Sequence, residues 1–155
     1  MNKIEYIWLS NIDISLENKY KLINIFGDIS KLYKSSFDDL IYFGIQEEIA
    51  YKILNKYTKE KALYDLEYIN RNNINLISIE DDEYPNKFSV LDVKPICFYI
   101  KGNKEILNNE AIGIVGSRVA LNESLEISRL VANIFSTQGI NVISGLAKGI
   151  DKYAH

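Results

Sequence analysis

Apolar and polar positions follow two different periods along this chain. Near its end two short apolar runs, Ala111-Ile112-Gly113-Ile114-Val115 and Asn141-Val142-Ile143, each stop at a turn rich in Gly and Ser. Runs of this kind predict buried parallel strands. Between them Ile127, Leu130, Val131, Ile134 and Phe135 keep the i, i+3, i+4, i+7, i+8 spacing of a buried helical stripe. Asn122 stands where a helix cap belongs, Glu123 and Glu126 suit its positive end, and Gly139 supplies a stop. Strand, helix and strand make a βαβ unit with a right-handed crossover and parallel strands. The loops near 116–121 and 144–150 therefore share the carboxyl edge of the sheet, where open α/β sheets bind ligands.

The front of the chain has the helical period instead. Leu16, Tyr20 and Ile23 share a face, and Gly27 ends their helix. Ser36 and Asp39 have capping-box spacing ahead of Leu40, Ile41 and Tyr42, and Gly44 is the next stop. Ile45, Ile49 and Ile53 follow at intervals of four. Thr58 is expected to cap a further helix with Ala62, Leu63, Leu66 and Ile69 turned inward. A polar turn at Arg71-Asn72-Asn73 leads to a strand over Ile74–Ile79. The expected division falls near Tyr57–Lys61, giving a small helical domain over 1–58 and an α/β domain over 59–155.

Composition narrows the choice. At 155 residues, with 47% apolar and 25% charged side chains, the chain has the make-up of a folded globular protein. A net charge of −3 gives no general attraction to nucleic acid. From Ala111 onward, however, four cations (Arg118, Arg129, Lys148, Lys152) meet three acids (Glu123, Glu126, Asp151), leaving room for a local site. The single cysteine, Cys97, rules out an internal disulfide and a multi-cysteine zinc site, and reads as a small buried hydrophobe in the run Ile96–Ile100. Nothing resembles a signal peptide or an apolar span of ~18 residues, so no membrane partner and a cytoplasmic location are expected. Nine of the eleven tyrosines lie at or before Tyr84; core packing is the expected role of most, and Trp8 is an expected core anchor.

The two turns carry the candidate chemistry. Gly116 and Gly145 let backbone amides approach an anion, Ser117 and Ser144 add hydroxyls, Arg118 can grip a phosphate bidentately, and Lys148 adds a point charge. Asp151 is placed to cap a helix starting near Ile150. The dinucleotide fingerprint G-x-G-x-x-G and the Walker sequence are both missing. Glu80-Asp81-Asp82-Glu83 lacks the spacing of a calcium loop and reads as a solvated turn, so no metal site is expected. No motif places a serine or cysteine beside the sole histidine, His155, so no catalytic residue is assigned.

These residues resemble the DNA-processing protein A family (DprA, also called Smf). The resemblance rests on Val115-Gly116-Ser117-Arg118, on Ser144-Gly145-Leu146-Ala147-Lys148-Gly149-Ile150-Asp151, and on Ala154-His155. Upstream it rests on Asp82-Glu83-Tyr84-Pro85, Pro95 and Tyr99-Ile100-Lys101-Gly102-Asn103. It covers about residues 60–155. Leu121, Glu123 and Ser124 depart from the family's Thr-x-Tyr-Gly stretch.

The resemblance implies an α/β fold: a truncated Rossmann-like parallel sheet, incomplete at its carboxyl end, preceded by a small SAM-like helical domain. It implies single-stranded DNA binding and protection during natural transformation and recombination, with RecA loading in full-length relatives. Catalysis and a cofactor are not implied. Carried onto this sequence, Gly116, Ser117, Arg118, Ser144, Gly145 and Lys148 are the expected DNA-phosphate contacts, with Asp151 and His155 holding the second loop. The family's homodimer surface is expected to lie in the missing half. Two other readings stay open: a Rossmann-like nucleotide- or small-ligand-binding module, and a non-functional truncated copy.

Overall fold

A computed structural model of the chain describes residues 2–155. The residues divide into two compact units, Met1–Lys104 and Glu105–His155. The division does not fall at the expected Tyr57–Lys61, because that segment lies inside a continuous helix.

The first unit is built around α1 (Lys3–Asn11), in which five consecutive residues, Glu5–Leu9, are buried. A helix covered on every side lies at the centre of its core. Around it stand α2 (Leu16–Phe26), α3 (Ile29–Lys34), α4 (Phe37–Tyr42), α5 (Glu47–Leu54) and α6 (Lys56–Arg71). Trp8 is fully buried, with Ile7, Leu32, Leu40, Ile53 and Ala62 in the same cluster. The buried Glu5 carboxylate is satisfied, accepting from Asn2 Nδ2 at 3.0 Å and Ser30 Oγ at 2.5 Å. Gly27 ends α2 at φ +66°, and Ser36 and Asp39 form the expected reciprocal capping box.

Two expectations fail on α6. Asn55, not Thr58, caps it through the Tyr57 amide; Thr58 is buried within the helix. Leu63 is exposed. The tyrosines divide as well: Tyr6 is buried, whereas Tyr42, Tyr51, Tyr57, Tyr64 and Tyr68 are exposed. A helix at the rim of a core buries one narrow face, and a tyrosine flanking that face keeps its hydroxyl in water.

β1 (Asn75–Ser78) pairs antiparallel with β2 (Cys97–Ile100), in the register Asn75 to Ile100 and Ser78 to Cys97. The connection holds one short 3-10 turn, Asn86–Val90, and no crossover helix, so the chain returns antiparallel. Asp81 folds back to accept from the Ser78 amide at 2.7 Å, and Glu83 pairs with Lys104. The acidic run is thus a turn, and no metal-binding cluster exists among the described residues. Cys97 is half-buried, and burial pushes its thiol pKa up.

The second unit holds the expected βαβ unit. β3 (Ala111–Gly113) and β4 (Asn141–Ile143) are parallel, joined by α7 (Asn122–Thr137), and α8 (Ile150–Tyr153) follows. The chain is thus an α/β fold whose strands form two separate pairs. Gly139 ends α7 at φ +79°; its amide bonds Ser136 O, and the Ile140 amide bonds Phe135 O, a Schellman motif. Asn122 is the first helical residue; the cap position is Leu121, without a side-chain bond.

The buried face of α7 is also rotated from the expected stripe. Ser128 and Ala132 are buried, with Val131 and Phe135 half-buried, while Ile127, Leu130 and Ile134 are exposed. Small residues let α7 approach α8 closely, and Ser128 Oγ donates to Ile150 O at 3.0 Å. Two strands are narrower than the apolar stripe, so part of it stays uncovered.

Candidate nucleic-acid interface

β3 and β4 stop side by side, with the Ile114 amide donating to Ile143 O at 2.9 Å. The chain then leaves each strand into one of the two candidate loops. All six expected site residues lie on these loops, which the fold brings together. Their union is tight. A Cβ at Gly149 would overlap the Ser117 carbonyl oxygen and approach Arg118 Cα to 2.8 Å. A Cβ at Gly116 would stand 2.7 Å from the Ile150 side chain. The Ile150 amide donates to Ser117 O at 3.2 Å. These glycines are therefore required for contact between the loops.

Asp151 is the joint. One carboxylate oxygen, Oδ1, accepts from the Gly116 amide at 3.1 Å; the other, Oδ2, accepts from the Gly145 amide at 3.1 Å. Ser144 Oγ donates to the Asp151 carbonyl at 3.3 Å. The Gly116 amide above all holds the Asp151 carboxyl below its ordinary pKa; desolvation pushes it up, and the Gly145 amide and the Ser144 hydroxyl lower it again. Asp151 does not cap α8: Gly149 occupies that position, without a side-chain bond, and Asp151 is the second helical residue. The sequence signal for this role was present in the Gly-Ile-Asp run but did not disclose that one carboxylate would reach both loops.

The remaining donors differ in availability. Ser117 Oγ is engaged within its own loop, donating to Val119 O at 2.6 Å and accepting from the Val119 amide at 3.1 Å. Arg118 and Lys148 are exposed, and neither is paired with a carboxylate among the described residues. Leu146, 69% exposed, holds a left-handed backbone at φ +54°. His155 is exposed and lines a separate cleft of about 560 Å³ with Arg129, Asn133, Val142 and Tyr153. None of the six candidate residues lines that cleft.

A parallel βαβ unit with paired glycine loops at its carboxyl edge is the hallmark of the Rossmann-like class. The family model for DNA recombination-mediator protein A matches residues 75–155, and the chain belongs to that family. It is 35% identical over 78 residues to DNA processing protein DprA of Streptococcus pneumoniae, a match covering 50% of this chain and 27% of that protein. Protein Smf of Escherichia coli is 28% identical over 88 residues, covering 57% of this chain and 24% of the relative. The X-ray structure of DprA from Streptococcus pneumoniae superposes with a TM-score of 0.65 at 20% identity, over 100% of this chain and 53% of that one. The chain thus spans about half of that structure. No helix among the described residues is long and apolar enough to cross a membrane.

Proposed function

We propose that this chain binds single-stranded DNA along its sugar-phosphate backbone at the carboxyl edge of β3 and β4. The binding serves DNA processing in recombination and natural transformation, in the cytoplasm, and involves no catalysis. The observation that carries this reading is the pair of exposed, unpaired cations, Arg118 and Lys148, on loops whose backbones touch at Gly149 and Arg118. Arginine and lysine displayed in this way suit successive phosphates. The relatives' names, DNA processing protein and DNA recombination-mediator protein, support it.

Gly116, Ser117, Ser144 and Gly145 then shape the loops beneath the two cations. In this reading β1, β2 and the βαβ unit are the N-terminal part of the family's Rossmann-like domain, and the helices before them a small SAM-like helical domain. RecA loading and dimer formation belong in this reading to longer relatives. Sequence preference is slight, because phosphate contacts carry none.

Fluorescence anisotropy of a labelled single-stranded oligonucleotide tests the proposal. The wild-type chain should bind at low salt and weaken as salt rises, and Arg118→Ala or Lys148→Ala should each lose about threefold to tenfold in affinity. Absence of binding at low salt, or variants that bind as the wild type does, would contradict it.

A further inference from the structure

Glycine turns at this edge of an α/β sheet ordinarily offer their amides to a phosphate. Here the Gly116 and Gly145 amides are both engaged, at 3.1 Å each, by the carboxylate of Asp151. Asp151 is only 6% exposed, in a region where the loops are already in contact. The carboxylate sits directly against the second loop: a Cβ at Gly145 would lie 3.0 Å from Asp151 Oδ2.

We propose that Asp151 is a built-in anion, which locks the two loops together and closes their amide site to free phosphate and to the phosphates of mononucleotides. Arg118 and Lys148, held on the outer side of the locked loops, are left to contact a phosphodiester backbone. Asp151 is a positioning residue in this scheme. The positioning role rests on the single-stranded DNA reading above; the closure of the amide site does not.

A phosphate monoester carries about −1.5 to −2 charges at neutral pH. To reach the amides it would have to expel a carboxylate that is covalently tethered beside them, and it would meet that negative charge on arrival. A phosphodiester strand carries one charge per residue and can be bound by extended cationic side chains without the amides. The arrangement therefore favours a polymer backbone over a nucleotide.

Removal of the built-in anion opens the site, and a small anion should then restore what was removed. The test compares wild type, Asp151→Ala and Asp151→Asn in thermal unfolding, with chloride, formate and inorganic phosphate at matched ionic strength. Labelled oligo-dT anisotropy is measured in the same buffers. Wild-type unfolding should respond to formate and phosphate only through the general salting effect of each anion. Asp151→Ala should unfold at a lower temperature in chloride and recover in formate or phosphate. Its oligo-dT affinity should fall about tenfold in chloride, for two lost charge-assisted bonds, and return in formate. Asp151→Asn, which keeps one acceptor oxygen, should fall between.

If Asp151→Ala does not fold in chloride, its refolding yield on adding formate replaces the unfolding temperature. Phosphate stabilisation of the wild type equal to that of the variant would overturn the closure, as would an Asp151→Ala protein that no anion rescues. Should the wild type bind no oligo-dT, the DNA reading fails while anion rescue still decides the closure. Should it bind and Asp151→Ala bind equally well in chloride, the positioning role is overturned.

Discussion

Leu146 holds φ +54° in the middle of the second candidate loop, a conformation that a residue with a Cβ adopts at a cost of about 1–2 kcal/mol. Its side chain is exposed, so burial does not offset that cost. Leu146→Gly removes the steric penalty and returns part of the gain through a freer unfolded chain. Stability in urea should rise by about 0.5–1 kcal/mol; an unchanged or lower midpoint would show that the Leu146 side chain has a structural role. Residue-scale features were unevenly legible in the sequence. Gly139 and Gly27 announced their left-handed turns, because glycine is the residue that adopts them without strain. Leu146 gave no such signal. Gly116 and Gly149 marked the right positions, but they serve loop–loop packing, which sequence spacing does not encode.

At the scale of elements, the capping box at Ser36 and the parallel βαβ unit follow from local chemistry and periodicity, and both were readable. The rotation of α7 was not. Its apolar stripe is wider than two strands can cover, and Ser128 and Ala132 win the contact because small side chains allow close approach to α8. The pairing of β1 with β2 was likewise hidden, since direction depends on the connection between them. That connection is tied down by Tyr84, whose hydroxyl donates to Pro95 O at 2.6 Å. Burial pushes the Tyr84 pKa up from 10.0 to about 12, with the neighbouring Tyr20 and Cys97 adding to it. A raised folded-state value means that the neutral hydroxyl's contribution is complete below pH 10 and is lost as pH climbs towards 12. The stability difference between wild type and Tyr84→Phe should therefore shrink over that interval, as measured by urea unfolding at stepped pH. A difference that stays constant would place the Tyr84 hydroxyl outside the fold's pH response.

Across the whole molecule, the α/β class and the family were legible because the motifs that carry them, at 115–118 and 144–151, are local and closely spaced. The limits of the compact units were less so: α6 runs through the expected boundary, and a unit's extent depends on contacts between distant residues. Function at this scale turns on charge. Under the proposed function, a chain with net charge −3 binds nucleic acid only where cations are displayed locally, and Arg118 and Lys148 are the exposed cations assigned to that role. The most direct test is the salt dependence of single-stranded oligonucleotide binding, wild type against the Arg118→Ala/Lys148→Ala double variant. Each phosphate neutralised contributes a slope of about −0.7 in log affinity against log salt for a single strand. The double variant should bind more weakly, with a slope shallower by about 1.4. Equal slopes in the two proteins would mean that the strand lies elsewhere and that these loops are not the phosphate contact.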